Sequence, residues 1–464
     1  VAEHDGLFDG VFARGAAATG GRAWLRAMLD TEAALARALE RAGLAPAGAG
    51  DSVTAAASAA AAATGPFDLG VLSRQSALSG NPVPALVAAL RKAVPPDAAD
   101  TVHRGATSQD IIDTAAMLLA RDALGAIAAD LATAAGGCAG LAAAHRDTLM
   151  AGRTLLQQAV PVTFGLVAAG WLTSLDEAGE TVARVRADRL AVQFGGAAGT
   201  LASLGGHGPA VARLLAGELG LALPVLPWHT DRSRIVEVAA ACAAVSGALA
   251  KIARDVTLLA QSEVGEVREG GSGSGGARRG GSSAMPHKQN PVAAIAILGC
   301  THRVPGLAAT LIATAEQEHQ RAAGAWHAEW ETFAGLLRVT GSAASWAADL
   351  TGGLIVDPAR MRANFDATRG LPLAERVAGL LAPALGQAAA HDLVARASAH
   401  ALAVGGTLRE ALLGVPELAG WMDGAGLTPA QIDEALDPAG YLGSAGAFTD
   451  AALAAHARRS LPAG

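Results

Sequence analysis

The sequence has little with which to build strands, disulfides or a nucleic-acid surface. Only 3% of its 464 residues are aromatic, with a single tyrosine, and runs of Val, Ile, Tyr and Phe, which favour strands, are scarce. The 51% hydrophobic content comes chiefly from alanine and leucine, both strong helix formers, so the expected class is all-α. Cys138, Cys242 and Cys300 stand far apart. That isolation excludes a disulfide framework and a metal-ligand spacing and fits a reducing cytosol. Neither a metal nor a cofactor is expected. There is no long basic block, and the net charge is −7. Nucleic acid is therefore not an expected partner, because neutralising phosphates takes clustered Lys and Arg. An anionic substrate must be held by a few local cations.

The opening residues Val1 to Asp5 lack the apolar stretch of a signal peptide. The nearest approach to a membrane span is Ala159 to Leu172, interrupted by Pro161 and Gly165 and shorter than the roughly 20 residues a spanning helix needs. The expectation is a soluble, cytoplasmic protein without a membrane partner.

What is present is helical periodicity. Trp24, Leu25, Met28, Leu29, Ala33, Leu35 and Leu39 recur at helical spacing, predicting an amphipathic helix over 22–42 that ends in a Gly- and Pro-rich stretch near 43–50. Pro82, Pro84, Pro95 and Pro96 punctuate the next segment, which predicts an N-terminal helical domain over 1–100. Long Ala/Leu helices are expected over 108–145, 160–190, 233–268 and 290–320, forming a central bundle within 101–344. Their apolar, alanine-rich faces require burial, within the chain or against other subunits. Shorter helices, broken by Gly and Pro, predict a C-terminal domain over 345–464.

The glycine-rich stretch 269–283 lies between two long helical patterns, where a lid over a site is expected more than a domain linker. Gly271, Gly273 and Gly276 match a GxGxxG fingerprint only formally. No strand precedes them and no βαβ pattern surrounds them, so a dinucleotide site is excluded. The continuation Gly281-Ser282-Ser283-Ala284-Met285-Pro286-His287-Lys288-Gln289-Asn290-Pro291 joins hydroxyls, a cation, a carboxamide and a helix start. Loop N–H groups and a helix N-terminus both favour anions. The same residues could equally be a solvated turn.

This segment resembles the signature loop of the fumarase/aspartase superfamily, Gly-Ser-Ser-x-Met-Pro-x-Lys-x-Asn-Pro, over its whole length. The resemblance implies that Ser282 is the general base, that Lys288 and Asn290 bind a substrate carboxylate, and that Ser283 and Met285 line the site. His103-Arg104-Gly105-Ala106-Thr107-Ser108-Gln109-Asp110 resembles the first conserved region, which implies carboxylate binding by Thr107 and Ser108. Read alone, that pair would more often be a helix N-cap. Gly152-Arg153-Thr154-Leu155-Leu156-Gln157 resembles the second region, with Gln157 a substrate contact. The resemblance covers nearly the whole chain. It implies a three-domain all-α fold with a long central helical bundle, and a homotetramer on a 20-helix core with sites shared between subunits.

Departures from the family pattern narrow the chemistry. Fumarases and argininosuccinate lyases carry a histidine where this chain has Leu155, and fumarase-like members carry its glutamate partner where it has Ile295. Adenylosuccinate lyases carry another histidine in a His-Asp-Val motif, where Asn81-Pro82-Val83 stands here. A poor leaving group needs a proton donor, and both usual donors are missing. A carboxylate leaving group needs none, because its conjugate acid has a pKa of about 4. The departures, with Gln317-Glu318-His319, Trp326 to Glu331 and Tyr441 to Ala445, resemble the cycloisomerase branch, which acts on a small polycarboxylate. Read alone, the Trp326 to Glu331 run would be helix packing with exposed acids. A lyase that releases fumarate with a weakly basic leaving group is the alternative, and adenylosuccinate lyase a more distant one. His103, Arg104, Arg153 and Arg321 are candidates to hold the extra carboxylate, and Asn81 a further contact. Each cation could equally belong to a surface or interhelical ion pair.

Overall fold

A computed structural model describes residues 6–15, 18–62, 65–270, 279–281, 284–285, 287–418 and 427–459. The chain forms two compact units: Val1–Ala132 with Glu177–Ala250 and Ile295–Ala347, and Thr133–Asp176 with Lys251–Ala294 and Ala348–Gly464.

The first unit opens on the helix Gly21–Arg41. Its apolar face, with Leu25, Met28, Leu29, Leu35 and Leu39, is buried against the Ala49–Ala62 and Gly208–Leu219 helices. Full burial of each such leucine stabilises by about 2 kcal/mol. The helix stops at Gly43, which sits in the left-handed region at φ +74°. There the Gly43 N–H meets the Glu40 carbonyl and the Leu44 N–H the Leu39 carbonyl, the double closure that glycine permits.

Long helices Ser108–Ala144, Phe164–Asp188, Ser233–Leu259 and Ala325–Gly353 form where alanine and leucine run without breakers. The expected 290–320 helix is two, Val292–Thr301 and Val304–Ala313. Pro305 in the first turn of the second lacks the N–H that continuity would require. Ser108–Ala144, Ser233–Leu259 and Val292–Ala313 are each long and apolar enough to cross a membrane by length and composition. This corrects the expectation that Ala159–Leu172 comes nearest.

The second unit carries the strands among the described residues. β1 (Leu149–Thr154) and β2 (Gln157–Thr163) form an antiparallel hairpin in register Met150↔Val162 and Arg153↔Gln158, with a bulge between Ala151 and Arg153. β3 (Val267–Glu269) pairs with β4 (Leu354–Val356). The expected 160–190 helix therefore starts only at Phe164, because Val160, Val162 and Thr163 extend into the hairpin. Near the C-terminus, helices Ala374–Leu385 and Gln387–Val404 pack together around Val377, Leu381, Leu393, Val394, Leu408 and Leu412. All three cysteines are buried and unbridged. Burial pushes the Cys138 and Cys242 thiols up to about 12, so neither is a nucleophile.

Candidate active site

In the first unit, the loop 103–107 delivers the chain into the Ser108–Ala144 helix. His103 takes a left-handed conformation, φ +62°. Its N–H donates to Glu32 Oε2 at 3.0 Å, and its Nδ1 lies 2.6 Å from Glu32 Oε1. Burial disfavours the imidazolium, but the hydrogen bond and charge of Glu32, aided by Asp110, outweigh it and raise the His103 pKa. The charge of His103 is thus matched by a fully buried acid. Arg104 is exposed, and its guanidinium donates to the Leu44 carbonyl.

Asp110 holds the next turn. Its carboxylate accepts from the Thr107 N–H at 2.9 Å and from the Gly195 and Gly196 N–H groups at 2.9 Å each, and His229 Nε2 lies 2.7 Å away. Gly196 is obligatory here: at φ +67°, a Cβ would lie 2.9 Å from the Gly105 carbonyl oxygen. Thr107 stands directly before the Ser108–Ala144 helix, where the Asp110 N–H bonds its carbonyl and the Asp110 carboxylate takes its N–H. Its hydroxyl does not cap the helix, and among the described residues no partner engages the Thr107 or Ser108 hydroxyl. Gln109, fully buried, donates Nε2 to the His229 carbonyl at 2.9 Å and accepts from Arg321 Nε at 3.0 Å.

Beneath this turn lies a buried charge cluster. Arg232, with no exposed side-chain surface, donates to both Asp113 oxygens at 2.8 and 3.1 Å and to Glu329 at 2.9 Å. Trp326 Nε1 donates to Asp113 at 3.0 Å. Burial raises the Glu329 carboxyl, against the lowering effect of Arg232. Reading Glu329 as an exposed acid is thus corrected: it is 3% exposed, and with Asp113 it is one of two buried acids that share the Arg232 guanidinium. Asp110, Asp113, His229 and Arg232 were not singled out from the sequence. The one local signal is the i, i+3 pair Asp110 and Asp113 on an otherwise apolar helix face. Asn81, half-buried, accepts from the Val83 N–H at 3.1 Å, at the first residue of the Val83–Ala93 helix.

In the second unit, the neck of the signature loop is described, while Ser282 and Ser283 lie outside the described residues. Asn290 donates its N–H and its Nδ2 to the Gly280 carbonyl at 2.9 and 3.2 Å. Gly280, at φ +83°, admits no side chain, because a Cβ would lie 2.2 Å from the Asn290 carbonyl oxygen. Lys288 is exposed, and its ammonium has no partner among the described residues. Met285 is 42% exposed. The helix start after Pro291 is corrected as an anion site. Its Ala293 and Ala294 N–H groups are taken by the Glu269 carboxylate at 3.1 and 3.0 Å, an acidic cap favoured by the helix dipole.

Arg153, on β1, forms a two-pronged pair with fully buried Glu266 at 2.9 and 2.6 Å, and Asn364 Nδ2 adds a bond at 2.8 Å. Gln157 is exposed at the start of β2. Between them, Leu155 and Leu156 form a two-residue turn with both residues left-handed, φ +50° and +66°. They are 96% and 73% exposed. Asn-Gly is the usual choice there, and two leucines in that conformation are strained. Asn81, His103, Arg104, Thr107, Ser108 and Arg321 thus belong to the first unit, and Arg153, Gln157, Met285, Lys288 and Asn290 to the second. A cavity of about 740 Å³ beside Arg376, His391 and Tyr441 contains none of them, nor does one of about 570 Å³ beside Arg37 and Glu218.

A bundle of long alanine-rich helices, bearing the signature loop and two unengaged hydroxyls at a long helix start, defines an enzyme of the fumarase/aspartase superfamily that handles a small carboxylate. Residues 16–306 match the family described as Lyase, and residues 370–452 the one described as adenylosuccinate lyase C-terminus. The chain belongs to this lyase family. It is 47% identical to a 3-carboxy-cis,cis-muconate cycloisomerase of Bradyrhizobium diazoefficiens over 440 residues, 94% of each chain. It is 46% identical to a nitrosuccinate lyase of Streptomyces davaonensis over 448 residues, 94% of this chain and 91% of that one. The crystal structure of the 3-carboxy-cis,cis-muconate lactonizing enzyme from Pseudomonas putida superposes with a TM-score of 0.88 at 42% identity, covering 98% of this chain and all of that one.

Proposed function

We propose that the protein is a cycloisomerase that closes 3-carboxy-cis,cis-muconate to a carboxymuconolactone. The observation that carries this reading is Leu155, an exposed leucine where relatives that expel poor leaving groups place a histidine. Ile295 stands where that histidine's glutamate partner would be. A site without this pair is suited to a carboxylate that attacks or leaves unprotonated. The 47% identity to the Bradyrhizobium cycloisomerase supports it.

In this mechanism one substrate carboxylate oxygen bonds to the conjugated double bond. The displaced electron pair moves onto the neighbouring carboxylate as an enolate-like dianion. Ser282 delivers its proton to the α-carbon and is reprotonated from solvent. The Thr107 and Ser108 hydroxyls, Lys288 and Asn290 stabilise the developing charge, and one such donor is typically worth about 3 kcal/mol. Asn81, Gln157, Ser283 and Met285 are further contacts, while His103, Arg104 and Arg153 shape the site from their positions against Glu32, Leu44 and Glu266.

The working form in this reading is a cytoplasmic homotetramer, with sites shared between subunits and the segments 1–100, 101–344 and 345–464 as its three domains. One feature supports the assembly: the most apolar windows of Ser108–Ala144, Ser233–Leu259 and Val292–Ala313 are only 33%, 56% and 44% buried within one chain, leaving apolar faces to be covered.

A second reading is favoured by the 46% identity to the Streptomyces nitrosuccinate lyase. Nitrite is also a weakly basic leaving group and needs no acid at Leu155. Two parallel assays separate the readings: loss of diene absorbance with 3-carboxy-cis,cis-muconate, and nitrite release from nitrosuccinate. Rapid diene loss supports the cycloisomerase, whereas nitrite release without diene loss transfers the assignment to the lyase.

A further inference from the structure

We infer that Arg321 is the residue that recognises the additional carboxylate distinguishing a tricarboxylate substrate from a simple dicarboxylate. The inference rests on the polycarboxylate reading above and names the group that sets it. Four cations are candidates, and the structure treats them differently. His103 faces the buried Glu32 carboxylate, and Arg153 is gripped at both ends by the buried Glu266. Arg104 is exposed and reaches only the Leu44 carbonyl. Arg321 alone among them is both half-buried and positioned by two separate neutral acceptors, Gln109 Oε1 at 3.0 Å and the Ala197 carbonyl at 3.3 Å. No acidic side chain pairs with it among the described residues. Glu318, in the same loop, accepts instead from the Ala323 N–H at 3.1 Å. Arg321 is therefore an oriented guanidinium whose charge is left uncompensated.

Its anchors also tie it to the carboxylate-binding turn. Gln109 directly follows Thr107 and Ser108, and its buried amide holds Arg321 Nε. On the other side, Ala197 follows Gly196, whose N–H meets the same Asp110 carboxylate that receives the Thr107 N–H. Asp110, Gly196, Ala197, Arg321 and Gln109 form a closed ring of peptide and hydrogen bonds within the first unit, and Thr107 is bonded to it through Asp110. Arg321 is thereby held in register with the two unengaged hydroxyls. Its Nη1 donates to nothing among the described residues, which leaves that end of the planar guanidinium to meet a carboxylate.

The test compares propane-1,2,3-tricarboxylate with succinate by calorimetric titration of the full-length wild type and the R321Q and R321K variants. Thermal melting checks that each variant is folded. Loss of one charge-assisted contact should weaken the tricarboxylate by about 10- to 100-fold in R321Q and leave succinate within about 3-fold. R321K, which keeps the charge without the fork, should fall between. Equal weakening of both acids, or weakening of neither, overturns the inference, as does a wild type with no preference for the tricarboxylate. Diene turnover is read separately. A wild type that turns over 3-carboxy-cis,cis-muconate with R321Q unchanged refutes Arg321 alone. A wild type that fails to turn it over, yet loses tricarboxylate affinity in R321Q, refutes the cycloisomerase reading and leaves Arg321 standing.

Discussion

Replacing Arg232 by methionine probes what holds the start of the Ser108–Ala144 helix in place. The guanidinium is fully buried and makes forked hydrogen bonds to two acids, Asp113 and Glu329, that are themselves almost inaccessible. Methionine fills much of the volume but leaves two buried carboxylates facing each other without a cation. Breaking a buried ion pair from one side costs about 3–5 kcal/mol, and here two acids are stranded. The molecule can limit that cost by taking up a proton, and Glu329 is predisposed to it because burial already raises its pKa. The sign follows. A raised folded-state pKa means that the native state binds more protons than the unfolded chain. Stability of the variant must therefore fall as pH rises from the ordinary carboxylate range towards the folded pKa of Glu329. Urea unfolding of wild type and R232M at fixed protein concentration should give a deficit of about 3–5 kcal/mol at pH 8 and a smaller one at pH 5. Were R232M within about 1 kcal/mol of wild type at pH 8, the cluster would not be the buried, mutually dependent assembly described.

The other predictions concern the loop and the hairpin. The raised pKa of His103 means that its pairing with Glu32 contributes stability fully below about pH 6.5, the ordinary histidine value, and loses it as pH rises through the raised one. In an E32Q variant, NMR titration should show His103 moving down, and an unchanged midpoint would refute the assigned cause. Replacing Leu155-Leu156 by Asn-Gly relieves a left-handed strain of about 1–2 kcal/mol per residue, partly offset by the greater freedom of glycine in the unfolded chain. Amide exchange in β1 and β2 should slow by about tenfold, and faster exchange would show that the leucines stabilise the turn.

The sequence was most readable where structure is local. The expected helices over 22–42 and 108–145 are found as Gly21–Arg41 and Ser108–Ala144, because an apolar stripe and a run of good helix formers act over a few turns. It was less readable where one residue overrides a favourable composition. Pro305 splits the helix expected through 320, and the β-branched Val160, Val162 and Thr163 draw the start of another into a hairpin. The signature loop could be matched from its residues, but its capping by Glu269, some 24 residues before Ala293, could not. The supporting tier was least visible. Asp110 meets His229 and Asp113 meets Arg232 across 119 residues each, and no local spacing encodes a contact at that separation. The same distance hid the fates of the candidate cations. Arg153 and Arg321 look alike in sequence, and only the three-dimensional neighbours, Glu266 for one and Gln109 for the other, divide them.

The central claim is a proton delivered by Ser282 to the α-carbon during lactone closure. It is tested most directly by running the reaction with 3-carboxy-cis,cis-muconate in D2O and examining the product by NMR. The account predicts a carboxymuconolactone carrying a single deuterium at the α-carbon, formed rapidly by wild type and slowed by several orders of magnitude in a folded S282A variant. Lactone formed at a near-normal rate by S282A, or formed without α-deuterium, would contradict it.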